Sequence, residues 1–475
     1  VTPAPMQTTT TGYHRIWLVV FGAFLGLCLL KFGNPVILAR QLPPPQSWDE
    51  LWNHPWPPSW SWTGLLLLTA LALPLLTCRL RWRRMPLPPL LWIPAIGWFT
   101  WQAVAHASTV DATLGGMTLA QFTGVLACYF VGAALVSDAS ALRWVLIGLI
   151  AALCICLMRA ATQRWVEFPA DHALLVEGQR TGWTNFPPAI VETMRREGTI
   201  VNTNGVDIAN PMILLKLERG RVHGTLVYPN ALAGAVLLLL PLSLVTISAV
   251  TQDQRTSIRV AALGTLLFLG LGGLVWSGSK SGWLIALGMV AVGLLRFPWG
   301  RRWARIAIPV VLALGLVSFG LRFERYFRQG ATSVGARMDY WSAAVQATSE
   351  RPLTGTGPGT FQRPYARLKS PEAEMARLVH NDYLEQFSDS GIPGGIAYLV
   401  WILAWMLRSG RRALAGADTL WFAVALGCTA WLCQGLTEFA LYVPALAWTA
   451  FLLIGATSAA VEPTPSPIPH PRTAP

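Results

Sequence analysis

Charge is scarce in this chain. Only 12% of its 475 residues are Asp, Glu, Lys or Arg, while 53% are hydrophobic. Soluble domains carry about twice that charged fraction, so lipid rather than water is the expected solvent for most of the chain. Acidic residues are almost missing from the apolar runs, which argues against a secondary transporter with its intramembrane charges. No internal repeat is visible, and the two halves show no matching pattern. The seven cysteines (Cys28, Cys78, Cys128, Cys154, Cys156, Cys428 and Cys433) all fall in or beside apolar segments. None lies in a long polar loop, which excludes a disulfide framework or a cysteine metal site. No clean small-residue cleavage site follows the run after Arg15, so the first segment is expected to remain as an anchor. The polar stretches also lack a cluster of carboxylates at metal-binding spacing. Glu372 and Glu374 are neighbours in an ordinary charged stretch, so neither a metal nor a cofactor is expected.

What is present is a series of apolar runs. A helix crosses about 30 Å of hydrocarbon with about 20 residues. Twelve windows fit, near 16–36, 62–79, 87–107, 118–136, 143–160, 226–249, 259–276, 282–296, 306–322, 392–407, 419–437 and 443–461. Each must be helical, because backbone groups in lipid need internal partners. The fold class expected is therefore all-α, a polytopic membrane bundle of about twelve transmembrane helices. The formal charge of +13 sits mainly in RLRWRRM (79–85), RFPWGRRWAR (296–305) and RSGRR (408–412). Each cluster abuts an apolar segment, which reads as the positive-inside pattern rather than as a nucleic-acid patch. With both termini in the cytoplasm, all three clusters fall inside, as do Arg255 and Arg259. Many of the 23 tryptophans stand at segment ends, as interfacial anchors do.

That orientation divides the chain. Residues 1–15 and 462–475 are expected to be disordered tails. Between them lie a first bundle (16–160), an outer-face loop (161–225), a central bundle (226–322), a second outer-face loop (323–391) and the last helices (392–461).

Polar chemistry gathers at the outer face in three places. In ERGRVHGTLVYPNALAG (218–234), Arg219, Arg221 and His223 stand just above the membrane and Asn230 enters it. Arginines there run against the positive-inside trend. They suit either an anionic headgroup such as a diphosphate or ordinary lipid phosphates. WSGSKSGW (276–283) is a short turn in which Lys280 needs an anion or water, and Ser279 can satisfy backbone groups or hold a phosphate oxygen. The third place is the second loop. Its residues 336–348 are expected to form a helix with Met338, Trp341, Ala344 and Val345 on one face, ended by Pro352. GTGPG (355–359) then reads as a tight turn, since its spacing is not that of a nucleotide loop. A further helix is expected from His380, with Leu384 and Phe387 on the same face and Gly391 at its end. A histidine on such a face is either structural or catalytic. Asn381 and Asp382 beside it can cap the helix or orient the imidazole.

These stretches resemble a known family. RMDYW, ERPLTGTGPGTF and HNDYLEQFSDSGIPGG, with RVHGTLVYPNALA and SGSKSGW upstream, are similar to the motifs of the O-antigen ligase and polymerase membrane glycosyltransferases. The resemblance covers roughly 220–410. It implies a donor glycan linked to polyprenyl (undecaprenyl) diphosphate and an active site on the periplasmic face of a bacterial inner membrane. It makes His380 the essential histidine and Arg221 and Arg337 diphosphate-binding arginines. Lys280 stands where the family usually has arginine, keeping the charge but not the fork. The resemblance does not account for the length of the 161–220 stretch. On this reading the chain is a metal-independent glycosyltransferase. It acts most simply as an O-antigen ligase on lipid A-core in lipopolysaccharide biosynthesis. An O-antigen or exopolysaccharide polymerase and a protein O-oligosaccharyltransferase are the alternatives. The expected partners are the lipid-linked donor, a lipid A-core or other glycan acceptor and the bilayer, with no nucleic acid.

Overall fold

The computed structural model describes residues 12–79, 87–296, 300–328, 332–414 and 418–459. The two expected disordered tails fall almost wholly outside these residues, as does most of the basic cluster 79–85.

Helix accounts for 78% of the described residues. Each of the twelve apolar windows falls on a helix. The first five are α1 (Gly12–Lys31), α3 (Pro58–Arg79), α4 (Pro89–Ala107), α5 (Ala112–Leu135) and α6 (Ala139–Thr162), with a short α2 (Trp48–Asn53) between α1 and α3. The central four are α10 (Pro229–Val250), α11 (Thr256–Ser277), α12 (Lys280–Arg296) and α13 (Gly300–Arg328). The last three are α16 (Asp382–Leu414), α17 (Thr419–Gln434) and α18 (Pro444–Ala459). Among the described residues, eight helical segments are long and apolar enough to cross a membrane, and α17 and α18 are shorter apolar helices. Aspartates start several of them. Asp111 accepts hydrogen bonds from the Thr113 and Leu114 amides, Asp138 from Ala141 and Asp418 from Leu420, which satisfies amides the helix cannot.

The centre of the bundle is α18, all sixteen residues of which are buried. It packs most closely on α5. Gly455 lies so near α5 that an added Cβ would stand 1.9 Å from the Tyr129 carbonyl oxygen. Small residues allow this approach, which is how helices associate where no water drives them together. By contrast α13 packs on α12 and buries very little.

The stretch expected as a loop from 161 does not begin as one. Helix continues from Ala139 to Arg180, passing through a π-turn at Gln163–Glu167 into α7 (Phe168–Arg180). The chain then folds into α8 (Pro188–Arg196), a hairpin of β1 (Ile200–Thr203) and β2 (Val206–Ala209), and α9 (Pro211–Arg219). Leu175, Trp183, Val191, Ile200 and Ala209 form its own small core. The Asn204–Gly205 turn has both residues at positive φ, as a two-residue hairpin whose twist matches its strands requires.

Two expectations about the second outer loop need correcting. The helix there, α14 (Thr332–Glu350), buries only part of the face of Met338, Trp341, Ala344 and Val345: Ala344 is buried and Trp341 half-buried. Met338 and Val345 are exposed, and the buried face is Ala343, Ala344 and Ala347, where α14 meets α16. The smaller residues win because they permit the closer helix contact. Nor does the next helix start at His380. That residue takes a left-handed conformation (φ 55°), and α16 begins two residues later at Asp382. Gly391 does interrupt the helix, at φ 68° and ψ −172°.

Candidate active site

Three segments remote in sequence meet at one end of the bundle. The first is the stretch before α16. Asn381 caps that helix, its side-chain oxygen accepting from the Tyr383 and Leu384 amides at 3.0 Å each. The Asp382 amide donates to the carbonyls of Gly435 (2.7 Å) and Glu438 (3.1 Å) in the connector between α17 and α18. The buried Asp382 carboxylate accepts from the Leu441 amide. Asp382 therefore fastens the two segments together and does not orient the imidazole. The short loop carrying Gly355, Gly357 and Gly359, all at positive φ, docks on α16 as well. The Thr356 and Gly357 amides donate to the Ser388 and Asp389 carbonyls, and the Gly359 amide donates to the Asp389 carboxylate. Amides engaged in this way hold the turn to the helix.

The docked segment presents His380. Its ring stacks on Tyr340 (centroids 5.8 Å apart) and meets the edge of Phe439 at 4.7 Å. About a third of the side chain (32%) stays open, enough for a substrate to reach the imidazole. Nδ1 lies 3.7 Å from a carboxylate oxygen of Glu438, an ion-pair distance rather than a hydrogen bond. The other Glu438 oxygen accepts from Arg337 Nη2 and Asn230 Nδ2, both at 2.6 Å. Glu438 was not singled out in the sequence, yet it links more of the expected site residues than any of them links to the others.

Asn230 passes the chain of contacts on. Its side-chain oxygen accepts from Arg221 Nη2 at 2.9 Å, and Arg221 Nε donates to the Ser277 carbonyl at 2.8 Å. Arg221 thus lies across the turn between α11 and α12, with Gly278 beneath it. Lys280, just ahead of the apolar run 282–296, stands 3.8 Å from the Tyr326 ring centroid and 5.3 Å from that of Phe323. Burial first, and then the charges of Arg221, Arg337 and Arg219, lower the Lys280 ammonium to about 8. Burial also lowers Arg221; Glu438 opposes that shift, and Arg219 and Arg337 add to it. These shifts describe a concentration of positive charge that a bound anion would relieve.

The remaining expected residues take other places. Arg219 stands exposed at the end of α9 and acts on Arg221 and Lys280 through its charge. His223 turns to the inserted subdomain, its amide held by Gln163 and its ring 6.4 Å from Phe168. Burial is the main cause lowering its imidazole below the usual range. Ser279 is buried, and its hydroxyl accepts from the Gly282 amide, which makes it the start of α12 and not an open phosphate ligand. Among the described residues, no group of three or more His, Cys, Asp or Glu side chains is placed to hold a metal ion.

The arrangement offers an accessible imidazole beside a carboxylate, facing fixed cations at the end of an apolar bundle. Residues 265–399, which include Lys280, Arg337 and His380, match the model of the O-antigen ligase family. An uncharacterized protein of Haemophilus influenzae is 28% identical over 154 residues, covering 27% of this chain and 38% of that protein. The chain thus aligns with little more than a third of that relative's length. The similarity to the O-antigen ligase family is thus carried by residues 265–399, the stretch from α11 into α16.

Proposed function

We propose that this chain is an O-antigen ligase, a twelve-span enzyme with its active site on the periplasmic face of the inner membrane. It moves a glycan from polyprenyl diphosphate to a hydroxyl of lipid A-core. The observation that carries this reading is the link through Glu438 and Asn230 between His380 and the arginines Arg337 and Arg221. Glycosyl transfer from a diphosphate needs a base for the acceptor and positive charge for the leaving group, and both stand here.

His380 accepts the proton of the acceptor hydroxyl on Nε2, while Glu438 faces Nδ1 and steadies the imidazolium that results. The acceptor oxygen bonds to the anomeric carbon as the bond from that carbon to the diphosphate oxygen breaks. Negative charge grows on the departing diphosphate, where Arg221, Arg337 and Lys280 stabilise it. Preorganised charges of this kind contribute on the order of 10²–10³ in rate each. They do here what a divalent cation does in other diphosphate chemistry, which is why the reaction is proposed to be metal-independent.

The test uses a deletion strain of the native host that carries the intact gene or its His380→Ala version at equal membrane levels. Lipopolysaccharide and polyprenyl-linked glycans are separated and their chain lengths compared. Long chains accumulating on polyprenyl diphosphate above bare lipid A-core are expected for the variant, with transfer reduced at least about 100-fold. Single repeat units accumulating there instead would mean a polymerase. Two pools that match the intact gene would make His380 structural and end this reading.

A further inference from the structure

A second group of cations lines a cavity beside the stretch that leads into His380. The cavity, of about 540 Å³, opens between the 3₁₀ turn Val36–Gln41, the start of α5 and residues 362–377 of the second outer loop. Arg40, Arg363 and Arg377 line it, over apolar side chains that include Ile37, Leu114 and Met117. One acid is present, Asp111, and it is already engaged. Its carboxylate caps α5 and accepts both Nε and Nη2 of Arg363 on one oxygen. Arg40 and Arg377 instead donate to neutral partners, the Thr113 hydroxyl (3.2 Å) and the Gln41 side-chain oxygen (3.1 Å). Among the described residues neither has an ion-pair partner, so their charge is open to a group outside the chain. Three arginines around one cavity also run against the positive-inside trend of a face read as outward.

The cavity adjoins the proposed reaction centre. Arg377 is three residues from His380, which limits their backbone separation to about 10 Å. Its charge also reaches Tyr228, whose ring meets Phe439 edge-on at 5.4 Å, and Phe439 in turn touches His380. A molecule with an anionic group between Arg40 and Arg377 can therefore lie close to His380, apart from the cations assigned to the diphosphate.

We infer that this cavity is the acceptor subsite, and that Arg40 and Arg377 grip a phosphate on the acceptor saccharide while an adjacent hydroxyl reaches His380. This rests on the transfer reading above. Arg363, fixed by Asp111, forms the wall, and the apolar floor takes the carbon face of the sugar. The same phosphate chemistry is offered by bilayer phospholipid, so the test must separate the two sources.

The test uses the full chain in nanodiscs, native and as the Arg40→Gln/Arg377→Gln double variant. The acceptors are purified lipid A-core and the same material stripped of phosphate with aqueous hydrofluoric acid. The double variant is expected to raise KM for the phosphorylated acceptor about tenfold, as loss of charge-assisted bonds does. Turnover at saturation and KM for the donor stay within twofold, which also shows that the fold is intact. With the stripped acceptor, native protein and variant should share the raised KM. The inference fails if both proteins use phosphorylated acceptor equally well, or if KM rises as much with the stripped one. It also fails if phosphatidylglycerol in the nanodisc competes with the acceptor on native protein and not on the variant, because the cavity would then hold bilayer lipid. Binding of phosphorylated acceptor without donor is measured in parallel. If native protein transfers no glycan, the transfer reading fails, while a tenfold difference in that binding still decides whether the cavity takes the phosphate.

Discussion

Glu438 accepts from Arg337 and Asn230 and faces His380, so one buried carboxylate sets the positions of three side chains from different parts of the chain. Replacing it by glutamine keeps the shape and removes the charge. Arg337 then loses its counter-ion and His380 the group that steadies its protonated form. The expected result for Glu438→Gln is a 10- to 100-fold fall in kcat with little change in KM for the acceptor, read from in-vitro transfer, an order of magnitude set by the loss of one charge-assisted contact. Unchanged kcat would show that the carboxylate only braces the fold. Lys280 gives the site a pH dependence. Its ammonium is lowered to about 8, so the positive charge is present below that value and is lost as pH rises through it. Donor binding is therefore expected to weaken on the alkaline side of about 8 and to become flat there in Lys280→Arg, since guanidinium stays charged. Donor KM measured from pH 6.5 to 9.5 checks this, and an alkaline limb that persists in the arginine variant would contradict it. His380, Arg221 and Lys280 drew attention in the sequence because each stands in a polar island between apolar runs, and Arg337 through the family resemblance alone. Glu438 did not, since LTEFALYV lies between two windows and reads as span ends. No spacing rule relates it to an arginine 101 residues earlier.

The short turn carrying Gly355 docks at the scale of an element. Gly355 sits at φ 61°, and an added Cβ would stand 2.4 Å from the Ser388 carbonyl oxygen, against backbone that cannot yield cheaply. Gly355→Ala combines that overlap with left-handed strain of about 1–3 kcal/mol. It is expected to lower Tm in detergent by at least about 3 °C. Gly288→Ala, in α12 with open space around it, should leave Tm within a degree or so. Equal Tm values for the two variants would mean that the turn does not hold α16. The sequence marked this turn through its glycines, yet it missed the start of α16 by two residues, because a left-handed histidine leaves no compositional trace. The Asn204–Gly205 hairpin was readable in principle from VNTNGVDIA, where two apolar-alternating runs flank an Asn-Gly pair. It was obscured by a reading of the whole stretch as one loop.

At the scale of the whole molecule, apolar length alone located twelve helices, since lipid leaves the backbone no alternative. It did not locate the end of α6, because a helix that leaves the membrane continues in water wherever its sequence and packing support it. The orientation proposed from arginine placement has its own test. A cysteine at Asn204, in the hairpin turn, should react in whole cells with a maleimide that cannot cross the inner membrane. One at Asp253, between α10 and α11, should react only after that membrane is broken. The reverse pattern would invert the topology and remove the periplasmic site.

Gln163 stands where the inserted subdomain leaves the bundle, and its side chain holds the place where the chain returns. Its oxygen accepts from the His223 and Gly224 amides, and its nitrogen donates to the Gly224 carbonyl. The ends of an insert of some sixty residues are thereby buttoned side by side by one amide. Such a joint makes the insert exchangeable. Its size and sequence can change, or a different domain can take its place, without moving Arg221 or the helices below, because adjacent ends transmit little strain to what they interrupt. The subdomain is in that sense a cartridge, and its sequence can diverge independently of the bundle that carries it.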